Sequence, residues 1–277
     1  MAHIAGHSSP DVNPDPVDEA TPHADFIKAK RECPHFRILI IGKANAGKTT
    51  ILQKVCNAKP GTKPIISDRN GKKVSSWFKK PTATRGEHDI EHQITYPGST
   101  FVFHDSRGFE SGSENELQTV KEFIDECATR SKLVDRLHVI WYCIPLDGSR
   151  EISAAEMAFF MIGTGDVPVV VIFAKFDALI VKAAIELKSQ DRDLTSAWSE
   201  APIFALNTLL QPYIGQLEEA KYPPRVWIHL EDMNKFAKQC PELTEKTAAA
   251  IDDITLQQIF ITTQINNLML CIKSANE

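Results

Sequence analysis

The sequence predicts an α/β protein with a three-layer, doubly wound and mostly parallel sheet. Segments with the pattern of strands alternate along the 277 residues with segments of helical periodicity, which is typical of a sheet that carries helices on both faces. Residues 138–144 and 169–173 are apolar almost throughout, as expected for parallel strands buried on both sides. A glycine-rich segment at residues 42–47 joins the first predicted strand to the first predicted helix, a connection common in this fold class.

The elements are expected in a regular order along the chain. The predicted strands are residues 36–41, 88–96, 100–104, 138–146, 168–174 and 225–230. The predicted helices are residues 48–57, 114–132, 151–162, 178–188, 202–219 and 246–273. The last helix has apolar residues at helical spacing, so it is expected to pack on the sheet, with a surface or dimer helix as the alternative.

Two segments are predicted to lie outside this regular core. Residues 1–34 are rich in Pro, Asp, His and Ser without periodicity, so we expect a disordered arm followed by a single domain at 35–277. The lysine-rich segment 59–82, with a turn at Asn70-Gly71, is expected to be a solvated loop. The alternative is an insert that faces a partner or a phosphate.

The amino-acid composition limits the classes of protein to which this chain is expected to belong. A net charge of −5 argues against a general nucleic-acid binder, which carries a basic face. Six widely spaced cysteines without a C-x-x-C pair indicate reduced thiols rather than a disulfide framework or a zinc site. There is no secretory signal and no long apolar stretch, so neither export nor a transmembrane segment is expected, and the predicted location is cytoplasmic.

Residues 42–50, Gly-Lys-Ala-Asn-Ala-Gly-Lys-Thr-Thr, carry the pattern G-x-x-x-x-G-K-T between a strand and a helix. In that context the backbone wraps around an anion, and the N–H groups of the loop and of the helix N-terminus point at phosphates. Lys48 is expected to contact the β- and γ-phosphates as a catalytic residue, and the Thr49 hydroxyl to bind Mg²⁺. The predicted phosphate-binding residues are Gly42, Lys43, Ala44, Asn45, Ala46, Gly47, Lys48, Thr49 and Thr50.

A second pattern, D-x-x-G, follows the short strand at 100–104 and resembles the second Mg²⁺ motif of GTPases. Asp105 is expected to act on Mg²⁺, usually through water, and the Gly108 amide to sense the γ-phosphate. A switch threonine that closes on Mg²⁺ and the γ-phosphate is expected upstream of this aspartate. Thr84 fits that role as a metal-binding and catalytic residue, and Thr82 is the alternative.

Residues 174–177, Ala-Lys-Phe-Asp, match part of the base-reading pattern N-K-x-D. The Asp177 carboxylate can accept hydrogen bonds from guanine N1 and N2, and the Lys175 stem can cover the base plane. Ala174 replaces the asparagine, so one side-chain contact is lost and guanine selection is less strict. The loop at 231–233 follows the next strand and is the candidate for the last base contact, although it does not resemble the usual S-A-K.

With these motifs, residues 36–232 resemble the GTPase superfamily, specifically its septin and Era-like, hydrophobic-substituted type. The lysine-rich insert and the segment from Asn234 to Thr247 are also similar to a group of fungal G-domain proteins. The resemblance implies a P-loop G domain that binds GTP and GDP with Mg²⁺ and switches conformation.

The resemblance also bears on hydrolysis. Phe109 stands where a glutamine often orients the attacking water, and a phenyl ring cannot hydrogen-bond water, so slow intrinsic hydrolysis is expected. Arg85, Arg107 and Glu110 are candidate substitutes. Asn45 matches the K⁺ ligand of potassium-stimulated GTPases, or it simply tolerates a left-handed backbone. A nucleotide-dependent homodimer would also order the switch.

The sequence leaves two alternative functions open and contains one pattern that is typical of another class of enzyme. A P-loop ATPase or small-molecule kinase is favoured by Ala174, and a nucleotide-dependent assembly module with little hydrolysis is favoured by Phe109. Residues 88–92 spell the zinc-protease pattern H-x-x-E-H, which requires a helix. The alternation of apolar and polar residues there predicts a strand instead, so the protease is not expected.

Overall fold

The computed structural model describes residues 27–28, 30–59, 61–74, 90–106, 114–148, 151–235 and 237–275. Within them the chain forms one seven-stranded, mostly parallel sheet with helices on both faces. The strands are β1 Phe36–Gly42, β2 Ile65–Ser67, β3 Gln93–Thr95, β4 Phe101–Asp105, β5 Val139–Pro145, β6 Val169–Ala174 and β7 Val226–Leu230. The helices are α1 Lys48–Val55, α2 Glu114–Thr129, α3 Ala154–Phe159, α4 Phe176–Ser189, α5 Leu194–Phe204, α6 Gln211–Glu218, α7 Pro241–Ala250 and α8 Ile254–Ala275.

The order of the strands is β2-β3-β4-β1-β5-β6-β7. The five strands from β4 to β7 are parallel, and β2 and β3 extend the sheet antiparallel at one edge. Because parallel strands need long crossovers, the helices between them cover the two faces. The α/β class and the largely parallel sheet predicted from the alternating segments are therefore confirmed.

Residues of β1 alternate between two apolar layers. Leu39 and Ile41 pack with side chains of α2 to α6, whereas Ile38 and Ile40 pack on the opposite face with side chains of α1, α7 and α8. All seven residues of β1 are buried. This burial on both faces explains why β1 lacks the polar alternation of a one-sided strand.

Several element bounds differ from the sequence prediction. Of the strand expected at 88–96, the described residues form only Gln93–Thr95, and Ile90 and Glu91 lie in a turn before it. The segment 59–82 contains a strand, β2, which pairs with β3, so that part is not simply a solvated loop. The turn at Asn70-Gly71 is present, since the Asp68 carboxylate accepts from the Asn70 amide at 2.9 Å and Gly71 has φ 78°.

The predicted helices at 202–219 and 246–273 are each broken. The first begins eight residues earlier, at Leu194, and passes through a π-helical turn, Ala205–Leu209, before α6. The second divides into α7 and α8, because Ile251 is extended and buried and the Asp253 carboxylate accepts from the Leu256 amide at 2.7 Å. A side-chain acceptor of this kind starts a new helix.

The domain begins earlier than residue 35. Cys33 is fully buried with the side chains of β1 and α8, and Lys30 Nζ donates to Thr263 Oγ1 at 3.1 Å. The last residues of the predicted disordered arm therefore belong to the folded domain. Residues 1–26 lie outside the described part of the chain. Across the described residues, no helix has both the length and the apolar character needed to cross a membrane.

Candidate functional site

The candidate site lies at the carboxyl edge of the parallel strands. The loop that follows β1, residues 42–50, is here named the glycine loop; Asp105 ends β4, and Lys175 follows β6. Loops at this edge form the ligand crevice of open α/β sheets. The topology thus brings the two motifs predicted to bind phosphate and metal onto neighbouring strands, β1 and β4.

The backbone of the glycine loop requires its glycines. Gly42 has φ 143°, and a Cβ there would lie 2.4 Å from the Cys143 carbonyl oxygen on β5. Asn45 and Gly47 have φ 61° and 84°, values that most side chains disfavour and that Gly and Asn tolerate. The Ala46 amide donates to the Lys43 carbonyl at 3.2 Å, which closes the loop into a tight turn.

Lys48 lies within the curve of this loop. Its ammonium donates to the Gly42 carbonyl at 2.6 Å and to the Lys43 carbonyl at 3.0 Å, and Nζ lies 3.8 Å from Asp105 Oδ1. Only 10% of the Lys48 side chain is exposed. An ammonium has three donors, and the two loop carbonyls use two of them.

The start of α1 has the electrostatic character of an anion site. No acidic residue lies in its first turn, and its N-cap residue, Gly47, has no side chain to cap the N-terminal amides. Thr49 is exposed in this turn, beside the partly exposed Thr50. Unsatisfied N–H groups and the positive end of the helix dipole favour negative charge there.

The oxygen donors at this edge fit a magnesium ion that is shared with phosphates. Asp105 supplies a carboxylate and Thr49 a hydroxyl, both hard oxygen ligands. Among the described residues there is no group of three or more His, Cys, Asp or Glu that could hold a metal. Mg²⁺ suits such a site because it commonly binds one or two carboxylates and keeps waters and substrate phosphates as its other ligands.

Several predicted site residues lie outside the described part of the chain. These are the switch threonine Thr84 with its alternative Thr82, the Gly108 amide, and the residues weighed for hydrolysis: Arg85, Arg107, Phe109 and Glu110.

The predicted base-reading residues stand at the start of α4. Lys175 is the N-cap of α4 and has φ 60°. Its ammonium lies 2.5 Å from Oδ2 of Asp147, a residue in the loop after β5. Asp177 lies in the first turn of α4, and its Oδ1 accepts from the Asp232 amide at 3.0 Å. The helix was predicted from residue 178, so this placement of Asp177 inside the helix differs from the expectation.

The loop after β7 therefore reaches the residues predicted to read the base. Asp232 has φ 56°, and its carboxylate pairs with Lys235 at 2.7 Å, which raises the pKa of Lys235. The ring centroids of Phe176, the first residue of α4, and His229, on β7, lie 4.2 Å apart, so the start of α4 packs against β7. Ala174 is buried, and its carbonyl accepts from the Leu146 amide at 2.9 Å, so this position offers backbone polarity but no side-chain polarity.

Glu156 is a site residue that sequence reasoning missed. It is 1% exposed on α3, and its Oε2 accepts from Lys43 Nζ of the glycine loop at 2.8 Å. Burial, and secondarily the Glu156 carboxylate, raise the pKa of Tyr142 well above its usual value, so the phenol stays neutral. The residues Ser153 to Glu156 spell the S-x-x-E capping box, a signal for the helix start but not for the loop contact.

A separate cavity lies at the opposite edge of the sheet. It has a volume of about 1170 Å³ and includes His138, Pro168 and Arg225, which directly precede β5, β6 and β7. It is remote from the glycine loop, since that loop follows the carboxyl end of β1. We place the candidate site at the carboxyl edge because the positive-φ loop, the buried ammonium and the carboxylate meet there.

Comparison with known proteins adds little to this geometry. No protein-family model matches the chain, and no curated protein matches it. A crystal structure of a mutation variant of a protein called SsGBP is similar with a TM-score of 0.36 and 14% sequence identity. That match covers 80% of this chain and 56% of the other chain.

Proposed function

We propose that this protein is a guanine-nucleotide-binding switch that binds GDP and GTP with Mg²⁺ and hydrolyses GTP slowly. The observation that carries the proposal is the position of the Lys48 ammonium. It is held by two carbonyls of the glycine loop and lies 3.8 Å from Asp105 on the neighbouring strand. A cation, a helix N-terminus and a carboxylate at one edge are the parts that a nucleotide phosphate with its magnesium needs.

The phosphate half of the proposal assigns each residue one task. The amides of the glycine loop and the Lys48 ammonium bind the β- and γ-phosphates, and Thr49 and Asp105 hold Mg²⁺ with Thr84. Magnesium, when bound, offsets the negative charge of the phosphate oxygens. The Gly108 amide responds to the γ-phosphate. Neither Thr84 nor Gly108 belongs to the described residues, so their parts rest on the sequence patterns.

The base half of the proposal rests on Asp177 and Lys175. The Asp177 carboxylate accepts from guanine N1 and N2, while its hydrogen bond with the Asp232 amide fixes its orientation. Each carboxylate oxygen has two lone pairs, so the contact to Asp232 leaves acceptor capacity for a base. Lys175, oriented by Asp147, presents its stem to the base plane.

One observation favours a second candidate, a P-loop ATPase or small-molecule kinase. Ala174 is buried at the end of β6 and has no side-chain amide with which to support a guanine-specific loop. The direct test is calorimetric titration of the purified protein with GDP, GTP and ATP in the presence of Mg²⁺. Tight binding of GDP and GTP with weak ATP binding is the expected result. Equal affinity for ATP supports the second candidate, and no binding of any nucleotide rejects both.

A further inference from the structure

Glu156 is a buried carboxylate whose charge is matched by one cation of the glycine loop. Its Oε2 accepts from the Ser153 amide at 2.9 Å, from the Ser153 hydroxyl at 2.7 Å and from Lys43 Nζ at 2.8 Å. Its Oε1 is buried without a hydrogen-bond partner among the described residues. A buried charge is costly unless it is paired, so Lys43 is the counter-charge that Glu156 requires.

The two partners of this pair are not equally free to leave it. The Glu156 side chain is 2% exposed, whereas 37% of the Lys43 side chain is exposed. Lys43 could therefore be hydrated elsewhere at little cost, but Glu156 could not. The energetic demand of the buried carboxylate thus keeps the Lys43 side chain in place.

Lys43 is also part of the proposed phosphate site. The Lys43 carbonyl accepts from Lys48 Nζ at 3.0 Å and from the Ala46 amide at 3.2 Å. A continuous set of contacts therefore runs from α3 through Lys43 to Lys48. Ala44 and Asn45, the next residues of the loop, are exposed, so the Lys43–Glu156 pair anchors the loop just before its exposed part.

We infer that Glu156 is a positioning residue of the phosphate site, which fixes the glycine loop through Lys43 so that Lys48 and the loop amides are preorganised for a nucleotide diphosphate or triphosphate. The inference rests on the proposed nucleotide binding. Glu156 does not touch the ligand; it directs the Lys43 side chain away from the phosphates and leaves Lys48 as the lysine that faces them. Supporting residues of this kind commonly change ligand affinity by roughly 10- to 100-fold.

The test is GDP affinity, measured by fluorescence titration, across a set of charge variants. Glu156→Gln keeps the side-chain shape and the helix cap, because Gln also serves in a capping box, but it removes the negative charge that holds Lys43. We expect GDP to bind at least about tenfold more weakly, mainly through faster release. The control Glu151→Gln removes an exposed acid that bonds to Gln216 and should leave the affinity within about twofold.

The lysine side of the pair is tested with two further variants. Lys43→Arg keeps the cation and should retain the affinity. Lys43→Met leaves Glu156 buried and unpaired and can fail to fold, so the double variant Glu156→Gln with Lys43→Met replaces it. We expect the double variant to bind GDP no more weakly than Glu156→Gln alone, because both changes break the same contact. Unchanged or tighter GDP binding in Glu156→Gln, or clearly weaker binding in the double variant than in Glu156→Gln alone, overturns the inference.

A measurement without nucleotide separates this inference from the proposed function. Hydrogen exchange of the amides of residues 44–48 should be faster in Glu156→Gln than in the parent protein, with the core strands unaffected. If the parent binds no nucleotide but this exchange changes, the proposed function fails while the anchoring of the loop stands. If the parent binds GDP and neither exchange nor affinity changes, only the role of Glu156 fails.

Discussion

The Asp177 carboxylate, in the first turn of α4, accepts a hydrogen bond from the Asp232 amide at 3.0 Å, across 55 positions of sequence. This bond joins the start of α4 to the loop after β7, and it gives Asp177 a defined orientation at the carboxyl edge of the sheet. A carboxylate oriented in advance loses less entropy when it binds a base. The selectivity for the base should therefore depend on this residue.

We predict that Asp177→Asn shifts the preference from guanine toward xanthine nucleotides. The amide replaces an acceptor by a donor, which no longer matches guanine N1 and N2, and about 1–3 kcal/mol of GTP binding should be lost. Competition between GTP and XTP against labelled GDP measures the shift. Asp191→Asn is the control, because Asp191 lies just beyond α4 with φ 63°, which Asn also tolerates. An unchanged GTP preference contradicts the base assignment.

Lys48→Ala should abolish measurable GDP and GTP binding while the protein stays folded. The substitution removes the ammonium that donates to the Gly42 and Lys43 carbonyls of the glycine loop and that we propose to bind the phosphates. Calorimetry reports the binding, and circular dichroism confirms the fold. Lys54→Ala removes another lysine of α1, whose ammonium donates to the Lys235 carbonyl, and should preserve binding. Equal affinity of the Lys48 variant and the parent would refute the phosphate site.

Gly42→Ala should destabilise the protein by about 2 kcal/mol or more. A Cβ at this position would meet the Cys143 carbonyl oxygen at 2.4 Å, and φ is 143°. The new Cβ would be fixed to the backbone of β1, and the carbonyl oxygen belongs to the backbone of the adjacent strand β5. Neither atom can therefore move without disturbing the sheet. Urea unfolding measures the loss. Gly148→Ala, where a Cβ meets no described residue within 4 Å, should change stability by less than about 0.5 kcal/mol; a similar loss in both variants would contradict this account.

Hydrolysis of GTP should be slow and should increase in K⁺ relative to Na⁺ at equal ionic strength. A cation beside Asn45 would offset charge on the phosphates. Because Asn45 has φ 61°, Asn45→Gly removes the amide without backbone strain. This variant should lose the K⁺ effect but keep GDP binding. If a series of protein dilutions changes turnover while the cation does not, self-association rather than K⁺ completes the site.

Stability should fall in mild acid because of two buried histidines near the amino end of β1. His104 donates to the Ile90 carbonyl and accepts from Arg37, and His138 donates to the Leu133 carbonyl and accepts from the Arg37 amide. Burial lowers the pKa of His104 to about 3 and that of His138 to about 4, against the opposing effect of their hydrogen bonds to the Ile90 and Leu133 carbonyls. Both rings are therefore neutral in the folded protein at pH 7.

The sign of the effect follows from these lowered values. The unfolded chain takes up protons near pH 6.5, whereas the folded chain does not, so the stabilisation is complete above that pH and is lost as the pH falls toward 4 and 3. Each histidine contributes about 1.4 kcal/mol per pH unit in that window. Urea unfolding from pH 7 to 5 measures the slope. His104→Gln should remove the contribution of one histidine to the slope of the free energy of unfolding against pH. An unchanged slope would show that other groups cause it.

Local patterns in the sequence were sufficient for the class of fold and for the glycine loop. Apolar runs buried on both faces predict parallel strands wherever they occur, and Gly42, Asn45 and Gly47 permit backbone angles that other residues resist. The short strand β2 escaped prediction because three residues have no measurable period. The break between α7 and α8 escaped because Ile251 continues the apolar pattern of the helix, and only its burial in an extended conformation reveals the break.

The sequence by itself indicated which residues are candidates for phosphate chemistry, because G-x-x-x-x-G-K-T and D-x-x-G specify residue types and spacing within a short segment. Only the tertiary structure decided which distant side chains support them. The Lys43–Glu156 pair and the Asp177–Asp232 bond join residues 113 and 55 positions apart. Their meeting depends on the order of strands in the sheet and on the burial of Glu156. These properties arise from the packing of the whole chain, and no local pattern carries them.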